Sequence, residues 1–123
     1  MKIEVSNGEI VDKLSIIELK LLNITDEEKL INLKKEQTIL NKAVKNILSK
    51  DSTLYIQLLD VNANLWHVED QLRKFENEKR FDEGFINLAR EVYYLNDKRS
   101  EIKRKINEST GSNLVEEKSY NKY

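Results

Sequence analysis

The chain has 123 residues, with 21 lysines and arginines against 22 aspartates and glutamates, and a formal net charge of −1. Interspersed acids and bases exclude a polyanion-binding surface over the whole chain, and the absence of cysteine excludes disulfides and thiolate metal sites. With no proline and only three glycines, the composition is that of a chain that rarely breaks its helices.

Residues 1–7 predict a short arm, since Lys2-Ile3-Glu4-Val5 alternates polar and apolar side chains. Ser6, with Glu9 three residues on, forms a capping box that opens a first helix over 8–24. Its apolar stripe is Ile10, Leu14, Ile17, Leu21 and Ile24, at alternating steps of four and three. Thr25-Asp26-Glu27-Glu28 is a second capping box with almost no linker before it. The second helix, 26–49, carries Leu30, Leu33, Leu40, Val44 and Ile47, with Gln37 interrupting the stripe.

Asp51 or Ser52 caps the third helix, 53–80, which has the most regular stripe: Leu54, Leu58, Val61, Leu65, Val68, Leu72 and Phe75. Asp82 caps the fourth, 83–109, with Phe85, Leu88, Val92, Leu95, Ile102 and Ile106, and with Gly111 as a left-handed stop. Residues 112–123 form a polar tail whose Leu114, Val115 and Tyr120 predict that it folds back onto the bundle. The whole is one all-α domain, an antiparallel bundle of about four helices with a long coiled-coil-like helical hairpin; paired hairpins from two chains are the alternative assembly.

Two segments depart from a purely structural pattern. On the third helix, Asn62, Trp66, Glu69 and Arg73 lie at i, i+4, i+7 and i+11 and make a second, polar stripe. It reads either as a widened core with an exposed Glu69–Arg73 pair or as a cluster that grips an anion. On the fourth helix, Arg99 sits one heptad after Val92 and one before Ile106, which aims a guanidinium at the core. Such a group must be paired. Glu18, on the flank of the first helix, and Glu69 are the candidate partners for a structural ion pair. With Asn96 and Lys103 nearby in sequence, the candidate ligand-binding set is Trp66, Glu69, Arg73, Asn96, Arg99 and Lys103.

The basic run from Lys98 to Lys105 is interrupted by Glu101 and suits the last turns of a helix, so nucleic acid is not the expected partner. His67 is the only histidine, which leaves no metal-binding set and no Ser/His/Asp constellation, and no cofactor is expected. Catalytic residues, and whether the protein is an enzyme at all, stay open. The N-terminus has no signal-peptide pattern, and apolar runs fall far short of the roughly 20 residues that span a bilayer. A cytoplasmic protein is expected, a binding or assembly module that self-associates or meets a protein partner. The alternative is an enzyme or sensor that binds a small anionic ligand between the third and fourth helices.

Glu4-Val5-Ser6-Asn7-Gly8-Glu9-Ile10-Val11-Asp12-Lys13-Leu14-Ser15-Ile16, Leu65-Trp66-His67-Val68-Glu69-Asp70-Gln71-Leu72-Arg73, Asn96-Asp97-Lys98-Arg99-Ser100-Glu101-Ile102-Lys103 and Leu114-Val115-Glu116-Glu117-Lys118-Ser119-Tyr120 resemble a family of short, all-helical bacterial and viral proteins of unknown function. The resemblance covers nearly the whole chain. It implies a complete small protein and carries over no activity, cofactor or catalytic residue. In charge type alone, Glu69, Arg73, Arg99 and Lys103 also resemble the set with which all-helical chorismate mutases hold a small dianion.

Overall fold

In the computed structural model, residues 1–120 are described; residues 121–123, the end of the predicted tail with Tyr123, lie outside the described residues. The described residues form four helices: α1 (Asn7–Asn23), α2 (Glu27–Lys45), α3 (Thr53–Asn77) and α4 (Glu83–Thr110). Each begins where an oxygen-bearing side chain satisfies a first-turn amide. Ser6 accepts from the Glu9 N–H, Asp26 from Lys29, Ser52 from Tyr55 and Asp82 from Phe85. The second cap is therefore Asp26, not Thr25.

Helix ends follow equally local causes. α2 stops at Lys45, short of residue 49, because the Val44 carbonyl accepts from both Ile47 and Leu48 and the chain tightens into a turn. α3 ends at Asn77, short of residue 80, with Lys79 in the left-handed region at φ 56°. α4 runs to Thr110, and Gly111 takes φ 67°, a conformation that costs only glycine nothing.

The helices form two hairpins, α1–α2 and α3–α4, that share one core at their open ends. Val11 and Leu14 of α1, Val44 of α2, Tyr55, Leu58 and Val61 of α3, and Ile102 and Ile106 of α4 are all buried there. α1 is the central element and its backbone approaches the other three helices, whereas the α2 backbone lies against α1 alone and joins the shared core through side chains such as Val44. A simple up-down order would have set α2 against α3. The α1 face that meets α4 carries Gly8 and Asp12 one turn apart, and Ser15 continues it toward Asn62 of α3. A Cβ on Gly8 would stand 2.6 Å from the Lys103 carbonyl oxygen, so glycine is what lets the two helices approach this closely.

Burial changes along the α3–α4 hairpin. The α3 stripe is buried at Leu58, Val61, Leu65 and Val68 and only half-buried at Leu72 and Phe75. α4 mirrors it, half-buried at Phe85, Leu88, Val92 and Leu95 and buried at Ile102 and Ile106. No residue from 69 to 101 is buried. The stripe is closed where Val11 and Leu14 of α1 join Leu58, Val61, Ile102 and Ile106, and it opens toward the turn between α3 and α4.

Candidate functional site

The polar chemistry concentrates on the seam between α1 and α4. Asp12 is 1% exposed and is held from three directions. The Arg99 guanidinium donates to both carboxylate oxygens, through Nε at 3.0 Å and through Nη2. Asn62 Nδ2 donates to Asp12 Oδ1 at 2.9 Å and to Ser15 Oγ at 2.8 Å, and the Ser15 hydroxyl donates to the Asp12 carbonyl at 2.7 Å. The charges are neutralised and the neighbouring dipoles satisfied, as burial requires. The Asp12 hydrogen bonds raise the Arg99 pKa against the opposing effect of burial, and the charges of Asp12, Glu9 and Glu69 add to it.

One turn along, Lys103 Nζ meets Glu9 Oε2 at 2.6 Å. Beyond it the first turn of α1 is capped from the far end of the chain. The Asn7 N–H donates to Ser112 Oγ at 2.9 Å, and the Gly8 N–H to Asn107 Oδ1 at 2.6 Å. Glu116 accepts from the Ser6 hydroxyl and from Asn107 Nδ2 at 3.3 Å, an acid beside the positive end of the α1 dipole. Burial pushes the Glu116 pKa up, but the Ser6 and backbone hydrogen bonds, the Lys103 charge and the Asn107 amide outweigh it and hold the carboxyl below its ordinary value.

The six candidate ligand-binding residues separate into two groups. Arg99 and Lys103 belong to the α1–α4 seam, each engaged by a carboxylate of α1. Glu69 and Arg73 line an open groove of about 620 Å³ on the α3–α4 hairpin, with Leu72, Glu76, Phe85 and Ala89. Glu69 acts on Arg99 through its field and makes no ion pair among the described residues. Trp66 and Asn96 are half-buried on α3 and α4. Glu18 is not the partner of Arg99: its carboxylate pairs with Lys50 at 2.7 Å and accepts from the Tyr55 hydroxyl at 2.7 Å. Burial, first, and that bond push the Tyr55 pKa far above the usual phenol range.

Asp12, Ser15, Asn107 and Glu116 lie outside the candidate set read from the sequence. For Asp12 and Ser15 a signal existed, since Gly8, Asp12 and Ser15 put small and polar side chains on one helix face at i, i+4 and i+7. Asn107 and Glu116 had none, because they are joined to α1 only across a separation of about a hundred residues. The arrangement as a whole is a set of mutually satisfied ion pairs. Among the described residues no group of three or more His, Cys, Asp or Glu is placed to hold a metal ion, and no helix is long and apolar enough to cross a membrane.

Residues 1–123, the whole chain, match the model of a family of unknown function, DUF6165, and the chain belongs to that family. Neither the curated proteins nor the solved structures hold a match to it.

Proposed function

We propose that the protein is a non-enzymatic assembly module, working in the cytoplasm, whose α3–α4 hairpin pairs with the hairpin of a second copy. The observation that carries this reading is the change in burial along one continuous apolar stripe. Leu58, Val61, Ile102 and Ile106 share a core with Val11 and Leu14 of α1, and Leu65 and Val68 are buried as well, whereas Leu72, Phe75, Phe85, Leu88, Val92 and Leu95 are only half-buried. Two helices cannot enclose a seam from both sides, and a second pair of helices completes a four-helix core.

Charge complementarity favours the same chain as the occupant. Glu69, Arg73, Glu76 and Lys79 run along the groove with alternating sign. A two-fold axis between Arg73 and Glu76 sets each acid opposite a base of the other copy, as a self-complementary interface requires. Light scattering on a concentration series tests the reading. The wild type is expected to reach twice the monomer mass at high micromolar concentration, R73E to shift toward monomer by opposing like charges, and R73E/E76R to restore the dimer. A monomer throughout, or a double variant no better than R73E, overturns it.

The anionic-ligand alternative draws less support. Arg99 and Lys103 face Asp12, Glu9 and the field of Glu69, so an entering anion meets three carboxylates for two cations. A thermal-shift screen of phosphate and carboxylate compounds checks it; a rise in Tm abolished by K103A would revive it.

A further inference from the structure

Beyond Gly111 the chain reverses and residues 112–120 return along α4 as an extended strap. Its holds are polar and regularly placed. Glu116 accepts from Ser6 and Asn107, Glu117 faces the Arg104 guanidinium at 3.3 Å, and the Tyr120 hydroxyl donates to Asp97 at 3.2 Å. The α4 partners Asn107, Arg104 and Asp97 lie on one face, read in descending order as the strap runs in ascending order. The groove thus recognises an extended segment with two adjacent carboxylates and a phenol three residues after the second.

The strap is weakly held. Leu114, Val115 and Tyr120 remain 42%, 40% and 54% exposed, so the hydrophobic effect contributes little to its docking. A cavity of about 350 Å³, lined by Lys103, Arg104, Asn107, Glu116, Lys118 and Tyr120, lies between strap and helix. The Arg104–Glu117 pair is solvent-exposed on both sides, the class of ion pair that contributes least. A segment held in this way can be replaced by one offering the same groups.

The same stretch of a second copy offers them all. Exchange through the Gly111 hinge can remake the Glu116, Glu117 and Tyr120 contacts in trans, while the Ser112 N–H stays bonded to the Asn107 carbonyl of its own helix, at the cost of the entropy of association. We infer that the groove on α4 and the α1 N-terminus is a receptor for residues 112–120 of a second copy, which dock in trans when the cis strap leaves.

The test uses a fluorescein-labelled peptide of residues 112–120 and full-length protein in the R73E background, where hairpin association is suppressed. Anisotropy titrations compare a chain with its own strap, the strap-released E116K/E117K chain, and that released chain with R104E added. The peptide is expected to bind the released chain at least tenfold more tightly than the chain with its own strap, because the tethered strap competes at an effective concentration of about millimolar. R104E is expected to weaken binding at least tenfold. The single variant E117Q, changed at a side chain 75% exposed, supplies an intermediate affinity without risk to the fold. Light scattering on unlabelled E117Q mixed with R104E chains reads the trans contact directly. Absence of peptide binding to both released chains, equal binding with and without the cis strap, or binding indifferent to R104E overturns the inference.

Discussion

Asp12 is the buried acid at which three helices meet. It is almost inaccessible, accepts from Arg99 and Asn62, and joins α1, α3 and α4 at one point. Removing it strands a guanidinium and an amide. D12A is expected to cost about 3 kcal/mol, the lower end for a broken buried pair, because the Arg99 side chain is still 29% exposed and reaches water. The double variant D12A/R99M removes both charges and is expected to recover more than half of that loss. Urea unfolding of the three proteins checks both statements; a D12A cost below about 1 kcal/mol would mean that water already solvates the pair.

Glu116 gives the strap a pH dependence. Its folded pKa is lowered, so its contribution is complete above the ordinary glutamate value of 4.5 and is lost as pH falls through the lower folded value. Acidification below about 4.5 is therefore expected to undock the strap, read from the side-chain amide resonances of Asn107 in an NMR titration. E116Q cannot ionise and is expected to flatten that titration. If the wild-type resonances respond to acid no differently from those of E116Q, Glu116 is not what holds the segment.

At the scale of elements, caps and turns decide where helices stop, and one of them is strained. Lys79 occupies the left-handed position that closes α3, with the Arg80 N–H bonded back to the Phe75 carbonyl at 2.9 Å. Glycine usually stands in that place, since a Cβ there costs about 1 kcal/mol. K79G is expected to stabilise the protein by roughly 0.5–1 kcal/mol, net of the extra freedom it gives the unfolded chain. A thermal melt checks the sign, and a lower Tm would contradict it. The same turn sets the charge pattern of the hairpin, because Lys79 ends the alternating run that begins at Glu69. Dimer mass of K79G, measured beside its melt, separates the two roles.

The hairpins differ as elements too. α1–α2 contributes a central helix and an outlying one, with only Leu33 and Val44 of α2 buried. Ile31 and Ile39 are 68% and 63% exposed but stand two turns apart among lysines and polar residues. Isolated apolar residues of this kind are ordinary on a protein surface. The α3–α4 stripe is continuous, which makes it, and not α2, the face of the proposed assembly.

For the whole molecule, the sequence by itself determined the fold class, because helical periodicity and capping are local. Stripes at steps of four and three, oxygen-bearing caps at Ser6, Ser52 and Asp82, and Gly111 as a left-handed stop are set by residues within a few positions of one another. The sequence also required that Arg99 be paired, since a charge inside an apolar stripe is costly wherever the chain places it. Which acid pairs it was decided by tertiary structure. Glu18 and Glu69 were the candidates in the sequence, and Asp12 became the partner only where α1 crosses the open end of the α3–α4 hairpin. That crossing depends on Gly8 admitting the Lys103 backbone, and on buried volume summed over all four helices. The position of α2 and the return of the strap have the same origin. Each depends on free-energy differences between distant surfaces that no window of neighbouring residues contains.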